Sequence, residues 1–502
     1  MISTDRMAAV DRNAEALGVP RKQLMESSGN AIARTVREIA DPTDSVVLVC
    51  GRGNNGGDAM VAARFLETFD PRTVLVGHPD RISTTIAREN WDALTAADYP
   101  VRTIQDSTDV DEIGLHEDDV VVDAMLGTGI TGSLREPAAS VAASINRCGA
   151  TVISVDVPSG VDADTGERGE HAVNADHVVT FHDAKPALEM LDVCVTIADI
   201  GIPSSAERFV GPGDLPDDRR DPDSHKGDHG SVLVIGGGPY TGAPALSGQA
   251  ALRSGADLAT VLCPSTVADT VQSFDESLIV RSVDGDRFRA SHAARALRVA
   301  TDADAVVIGP GMGRAEATIE FVRSFLEGFD GRAVVDADPL GVVPELDTSA
   351  TLLCTPHRGE LTRMGRTVSD DREETERVVE AFAAEIGATI LLKGTHDVVS
   401  DGETTRVNRT GTPSMTVGGT GDVLAGVAGG LLCNHEPMCA AAVAAYANGR
   451  AGEAADRHLG GGDADRFQGG GDADRLQVGG LRPTDLLDRL PAALRDDGTD
   501  RI

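Results

Sequence analysis

The stretch Gly418-Gly419-Thr420-Gly421-Asp422 carries the strongest chemical signal in the chain. Glycine has no side chain to shield its backbone, so several N–H groups can turn toward one point. The apolar run Val423 to Leu432 follows without a proline and reads as a buried helix. Unpaired N–H groups and the macrodipole at such a helix start favour negative charge, which makes an anion site. Asp422 sets a carboxylate where that anion should bind. As an N-cap it would need no further explanation. As a general base beside a phosphoryl group it would take a proton from a substrate hydroxyl. The first half of the chain has its own polar cluster. Asn54-Asn55-Gly56-Gly57-Asp58, Asp123-Ala124-Met125-Leu126-Gly127-Thr128-Gly129 and Asp156-Val157-Pro158-Ser159-Gly160 each offer oxygens beside glycines. Such oxygens suit a ribose, a polar ring or a metal ion better than phosphate alone; a solvated turn is the plainer alternative.

These residues need strands to hold them. Ser45–Cys50 is rich in β-branched residues, runs into the glycine-rich turn Gly51–Asp58, and is followed by a helical stretch through Phe65. Strand, glycine turn and helix make the phosphate-binding half of a Rossmann-like unit, although no G-x-G-x-x-G is present. Before it, apolar residues at near-helical spacing predict helix over 5–40, interrupted at Gly18-Val19-Pro20. Further strands are predicted at Thr73–Gly77, Asp119–Leu126, Thr151–Val157 and His177–Phe181, with helices between several of them. Ligands bind beyond the carboxyl ends of such parallel strands, so Asp58, Asp123 and Asp156 should meet at one rim. Glycine, proline and acid dominate Gly211–Asp228, which reads as a linker. Beyond it come a second series of strands, beginning at Ser231, Ala305, Ala333, Leu352 and Thr389, that end in Gly, Asp, His or Lys. A nine-residue unit is doubled at Gly460–Gln468 and Gly469–Gln477. Its fourth position is Asp463 or Asp472 where a calcium-binding nonapeptide needs Gly, and two copies cannot stack, so it reads as a duplicated flexible insertion.

At 502 residues the chain is expected to form two domains. The net charge of −35 arises from 80 acidic against 45 basic residues, only four of them lysine (Lys22, Lys185, Lys226, Lys393). Acid in excess with arginine in place of lysine suggests a halophile's salt-rich cytosol, which screens self-repulsion. The same charge excludes a nucleic-acid partner, whose backbone needs a basic footprint. The seven cysteines contain no C-x-x-C pair and read as reduced core residues. With no signal peptide and no run of about 18 apolar residues, a cytoplasmic location and no membrane contact are expected.

The order of these motifs resembles the bifunctional NAD(P)H-hydrate repair enzymes across nearly the whole chain. The first half resembles their epimerase domain through Leu24-Met25-Glu26, Asn54–Asp58, Asp123-Ala124, Gly127–Gly129, Asp156–Gly160 and Lys185-Pro186. The second resembles their ribokinase-like dehydratase domain through His225-Lys226-Gly227, Gly309-Pro310-Gly311, Asp336-Ala337-Asp338, Thr355-Pro356-His357, Leu392-Lys393-Gly394 and Gly419–Asp422. Three of the four lysines fall inside these motifs. Ala59, Ala187, Arg358 and Pro339 stand where the family usually has Gly, Gly, Pro and Ala; none of these replacements removes a candidate polar group.

The resemblance implies an α/β fold: a Rossmann-like three-layer epimerase domain over 1–212 and a ribokinase-like dehydratase domain over 213–502. In the first, it implies that Asn54, Asn55, Gly56, Gly57 and Asp58, then Gly127, Thr128, Gly129, Ile130, Thr131, Gly132 and Ser133, and Asp156 hold NADHX or NADPHX, the cofactor hydrated at C6 of its nicotinamide ring. Asn55, Asp123 and Ser159 would hold a potassium ion, and Asp156 would exchange the proton. In the second, ADP or ATP with Mg²⁺ would lie on Lys393, Gly394, Thr395, His396, Asp397 and Gly421. The hydrate would contact Ala243, Gly311, His357 and the base Asp422. A homo-oligomer is expected. Two rival readings remain open on sequence alone: a ribokinase-like vitamin kinase fused to a Rossmann-like binding module, and a scaffold serving RNA processing, which the charge of −35 disfavours.

Overall fold

Runs of Val, Leu and Ile form the central, parallel strands of two sheets in the computed structural model, which describes residues 1–129, 132–218, 220–459 and 480–495. The chain divides into two units, one ending at Ala206 and the other starting at Glu207.

The first unit holds a seven-stranded, wholly parallel sheet in the order β3-β2-β1-β4-β5-β6-β7. Its strands are β1 (Ser45–Cys50), β2 (Arg72–Val76), β3 (Val101–Ile104), β4 (Asp119–Ala124), β5 (Thr151–Val155), β6 (His177–Phe181) and β7 (Cys194–Ala198). The order reverses beside β1, where β1 has β2 on one side and β4 on the other. A ligand site is expected there, past the carboxyl ends. Both faces are covered. Helices Thr4–Ala16 and Arg21–Ile39, broken at the predicted place, pack with Asn54–Phe65 on one face, and Ala138–Cys148 covers the other.

One expectation changes here. Asn54–Asp58 is not a turn but the first turn of the helix Asn54–Phe65. Its glycines are needed for closeness, not for unusual dihedrals. A Cβ on Gly56 would sit 2.0 Å from the Gly51 carbonyl oxygen, and one on Gly57 would sit 2.8 Å from the Met25 side chain.

The second unit holds nine strands in the order β10-β9-β8-β11-β12-β13-β14-β15-β16. They are β8 (Ser231–Ile235), β9 (Leu258–Pro264), β10 (Ile279–Val283), β11 (Ala305–Ile308), β12 (Arg332–Val335), β13 (Thr351–Cys354), β14 (Thr389–Leu392), β15 (Asp397–Ser400) and β16 (Thr405–Asn408). All pair in parallel except β15 and β16, which close one side as an antiparallel ribbon. The helix Thr420–Leu432, buried from Val423 onward, packs on one face with Gly242–Arg253 and Pro437–Leu459. Gly426 lets two of these helices touch: a Cβ there would lie 2.2 Å from the Ser247 carbonyl oxygen.

The expected linker is only partly one. Before and within its first residues the chain is already fixed to the second unit: Phe209 bridges to Val407, Val210 and Leu215 enter the core, and Asp214 pairs with Arg406 at 2.8 Å. The duplicated segment 460–477 lies outside the described residues. Among the described residues, no helix is long and apolar enough to cross a membrane.

Candidate active sites

In the first unit, β4 carries Asp123, β5 ends just before Asp156, and β6 carries Thr180. Lys185 follows in the next turn and is fully buried. Its ammonium lies 2.9 Å from Asp156 Oδ1 and donates to Thr180 Oγ1 at 3.1 Å and to the Phe181 carbonyl at 3.0 Å. Thr180 Oγ1 in turn donates to the same Asp156 oxygen at 2.9 Å. A buried ammonium is tolerable only with such complete coordination. Asp156 also holds φ at +70°, a left-handed conformation that costs a non-glycine residue about 1–3 kcal/mol and recurs at functional sites.

Two further carboxyls feel this pair. Asp58 is buried, and burial together with the fields of Asp156 and Asp11 drives its carboxyl well above the ordinary range. Asp11, on the first helix, is raised by burial and by Asp156, against the pull of Arg21, Lys185 and His182. Sequence does not single out Asp11, because an acid on an amphipathic helix reads as a solvated face.

Asp123 is fully buried and satisfied by four donors. Oδ1 accepts from Ser159 Oγ at 2.6 Å and Met125 N at 3.3 Å; Oδ2 accepts from Ser154 Oγ at 2.8 Å and Ser159 N at 2.9 Å. Burial raises its carboxyl and these bonds oppose the rise. Among the described residues it has no ion-pair partner. Asn55 donates through Nδ2 to the Val155 carbonyl at 3.0 Å. Its amide packs so tightly on Gly127 that a Cβ there would lie 2.3 Å from Oδ1. Ser159 Oγ also accepts from Leu126 N at 3.0 Å, so Asn55, Asp123 and Ser159 gather around one turn at the rim. Thr128 is half-buried, and Gly129, Gly132 and Ser133 are exposed. Ile130 and Thr131 lie outside the described residues.

In the second unit, Gly419 takes φ +100° and ends the loop, and Asp422 stands in the first turn of the helix. Its carboxylate accepts no hydrogen bond from the described backbone, which removes the N-cap explanation. The group is half-buried with no hydrogen-bond partner among the described residues. Burial first, then the fields of Asp336 and Glu360, push its pKa up to about 7, with Lys393 opposing.

Lys393 lies at the end of β14 and reaches across the site. Its ammonium is 2.8 Å from Asp336 Oδ1 and 3.7 Å from Glu360 Oε2. Burial pulls its pKa down, but Asp336, Glu360 and Asp422 together outweigh burial and hold the proton more firmly than usual. Thr355 Oγ1 donates to the same Asp336 oxygen at 2.7 Å. A Cβ on Gly421 would lie 3.4 Å from Lys393 Nζ, so the loop and the lysine are neighbours.

His357 begins the helix Arg358–Arg363. Its Nδ1 accepts from Gly359 N at 2.9 Å and Glu360 N at 3.2 Å, and Glu360 Oε2 accepts from His357 N at 2.9 Å. With Nδ1 accepting, the neutral ring carries its proton on Nε2. Ala243 and Gly311 adjoin each other: a Cβ on Gly311 would be 3.2 Å from that of Ala243.

Both halves of the chain match known families. Residues 232–465 match the family described as NAD(P)H-hydrate dehydratase, and residues 21–187 match that described as YjeF-related protein N-terminus. The bifunctional NAD(P)H-hydrate repair enzyme Nnr of Methanothermobacter thermautotrophicus is 42% identical over 482 residues, covering 91% of each chain. Its namesake from Pyrobaculum aerophilum is 40% identical over 512 residues, covering 98% of each. The chain belongs to the bifunctional NAD(P)H-hydrate repair enzymes. Among solved structures, the ADP/ATP-dependent NAD(P)H-hydrate dehydratase of Bacillus subtilis, co-crystallised with ATP and Mg²⁺, aligns at 26% identity and TM-score 0.44. It covers 55% of this chain and 92% of that one.

Within this repair enzyme, Gly394, Thr395 and His396 are exposed at the β14–β15 turn, beside the glycine loop. Asp397 differs: both its oxygens serve that turn, accepting from Gly394 N and Asn408 Nδ2 at 3.0 Å each. Burial raises its pKa to about 6. Glu360 is a site residue that the sequence motifs miss, though its His-x-x-Glu spacing is a legible capping signal. His225-Lys226-Gly227 lies ahead of β8, at the amino ends of the strands, where Gly227 N donates to Asp257 just before β9.

Proposed function

We propose that the first unit interconverts the R and S forms of hydrated NAD(P)H and that the second dehydrates the S form, using ADP or ATP, in the cytoplasm. The observation that carries the second half is Asp422: a half-buried carboxylate with no hydrogen-bond partner among the described residues and a pKa pushed up to about 7, at the mouth of an anion loop. Such a group can take a proton at neutral pH, whereas an ordinary aspartate is too weak a base. Asp422 removes the proton from the C6 hydroxyl as that oxygen attacks the terminal phosphorus of the nucleotide. The loop N–H groups and Lys393 stabilise the charge on the phosphoryl group in flight. The C6 oxygen, now esterified, departs as phosphate; the adjacent ring carbon loses a proton, and the ring double bond forms. Hydroxide would be a far poorer leaving group.

Gly394–His396 and Gly421 present backbone for the nucleotide, and Asp397 holds that turn in shape. Ala243, Gly311 and His357 border the space left for the hydrate. The loop is a set of donors suited to anions, so Mg²⁺ fits here as a companion of the nucleotide phosphates that neutralises part of their charge.

In the first unit, burial and two neighbouring acids favour the protonated form of Asp58, and Asp156 is held beside Lys185. Epimerisation needs a hydroxyl to leave and water to return, so one carboxyl must give a proton and another take it. Asp58 donates and Asp156 accepts. Asn54, Asn55, Gly56, Gly57 and the loop Gly127–Ser133 form the binding surface. Potassium is proposed at the rim of Asn55, Asp123 and Ser159, all three of which present oxygens; Asp123 would share with the ion a carboxyl group that four donors already approach. The ion would cancel the charge of that group beside an anionic substrate.

The test is recovery of NADH absorbance from purified R and S hydrates with ADP and with ATP. The proposal requires both hydrates to be repaired and no net phosphorylated product to accumulate. A stable phosphate ester instead of NADH would make the second unit an ordinary kinase.

A further inference from the structure

A cleft of about 310 Å³ opens in the second unit at the amino ends of β8 and β9, bounded by the helix Ala293–Ala300 and the turn after it. Three arginines line it. Arg281 comes from the edge strand β10, while Arg295 and Arg298 come from one side of the helix, three residues apart. The register places Leu233, Thr260 and Ile279 in one row, and Arg281, two residues beyond Ile279, shares their face of the sheet. The arginines therefore approach the cleft from two walls.

None of the three makes an ion pair or donates a side-chain hydrogen bond among the described residues, and Thr260's hydroxyl is likewise without a partner. Asp302 is the one acid lining the cleft. The chain carries 80 acidic against 45 basic residues, so three arginines with one acid among them make a locally positive cleft on an acidic protein. Arg287, Arg314, Arg323 and Arg332 of the same unit all have carboxylate partners. All three cleft arginines are exposed, so their mutual repulsion is screened by water and salt but not removed. A multiply charged oxyanion removes that repulsion, and the planar guanidinium fork matches phosphate oxygens two at a time.

The cleft is distinct from the nucleotide loop. Ser231 opens β8 at the cleft, and the glycines that border the proposed active site follow Ile235. Four residues of strand separate them by about 13 Å. Its volume stands at the lower end of small-molecule sites, about 300–1,000 Å³, which suits a phosphate with a small organic body and not a dinucleotide.

We propose that this cleft is a second anion site, which binds a small phosphorylated metabolite through its phosphate. The full-length protein is titrated calorimetrically with orthophosphate, pyrophosphate, AMP and glycerol 3-phosphate, alongside the variant R281Q/R295Q/R298Q. The glycine loop is intact in both proteins, so the difference between isotherms reports this cleft alone. The triple variant should lose one binding event, or bind about tenfold more weakly or worse. Tighter binding of glycerol 3-phosphate or AMP than of orthophosphate identifies an organic phosphate as the ligand; the reverse order identifies free phosphate. Arg298→Glu reverses one of the three charges in the cleft and should abolish the same event even if the triple variant folds poorly. Isotherms identical to wild type in every arm, for either variant, overturn the site.

Discussion

Asp422→Asn tests the dehydratase mechanism most directly, because the same substitution should raise stability while it removes activity. Asparagine keeps the shape and cannot accept the proton. Moving a carboxyl from 3.8 to about 7 corresponds to about 4 kcal/mol against its charged form. The group is partly open to water, so a discounted range of about 2–4 kcal/mol is appropriate. The folded protein keeps a proton that the unfolded chain releases between about pH 4 and 7, so stability falls as pH rises through that window. Above pH 7 the whole penalty is present. Asparagine never carries it, so the variant should melt about 5–10 °C above wild type there, and the two curves should converge below about pH 4. Loss of a general base should lower turnover by about 10²–10⁴. In wild type, kcat/KM for the ADP-dependent step should rise with an apparent pKa of about 7. The assays are NADH recovery from the S hydrate across this range and thermal melts of both proteins. Turnover close to wild type refutes the base; a melting point below wild type at alkaline pH refutes the desolvation argument.

Three other outcomes are expected. Lys185→Met leaves Asp156 buried without its cation, which should cost the first unit about 3–5 kcal/mol and abolish R-to-S conversion while dehydration persists; a calorimetric scan with the first transition unmoved counts against it. A fragment beginning at Ser204 should fold and dehydrate the S hydrate alone, whereas one beginning at Pro216 strips Arg406 of Asp214 and should melt lower; equal melting shows that Glu207–Leu215 adds nothing. Asp123→Ala, or exchange of potassium for tetramethylammonium at fixed ionic strength, should slow R-to-S conversion and spare the ADP-dependent step; equal rates in both salts leave Asp123 a structural residue.

What can be read from the sequence follows the physics of each element. Ser45–Cys50, His177–Phe181 and the buried helix after Gly421 are continuous apolar runs bounded by glycine or acid, and their limits are plain. The strands β3, β7, β10 and β16 are not. They lie at or beside sheet edges and carry polar residues among the apolar ones, such as Arg102, Thr196, Arg281 and Arg406, so no run marks them. β9 has a clear apolar run, but no glycine or acid at its end draws the eye. At the sites, Asp58, Asp123, Asp156 and Asp422 can be named from their neighbours in sequence. Their differences cannot. Whether an aspartate meets a lysine, four neutral donors or nothing depends on residues distant in sequence, such as Ser154 for Asp123 and Lys185 for Asp156. Close packing is equally hidden: Gly56 and Gly57 look like turn glycines until the Gly51 carbonyl and Met25 are seen pressed against them.

The two units arrange the same parts for different chemistry. Each has a lysine bound to one aspartate, Lys185 with Asp156 and Lys393 with Asp336. Each leaves a nearby aspartate unpaired among the described residues, Asp58 in one and Asp422 in the other. Asp58 is buried and flanked by two further acids, which favours its protonated form and suits the proton-donating role proposed for it. Asp422 stays half-open with its pKa pushed up to about 7, which suits the proton-accepting role proposed for it. Depth of burial, not residue type, divides the roles. The lysines also answer why a chain so poor in lysine keeps these two. An arginine spreads five donors over a flat fork and would require acceptors on every side. Lys185 sits among one carboxylate, one hydroxyl and main-chain carbonyls, and Lys393 between two carboxylates. Each space fits a compact point charge, and substitution by arginine would force these oxygens apart at the place where their spacing sets the proton chemistry.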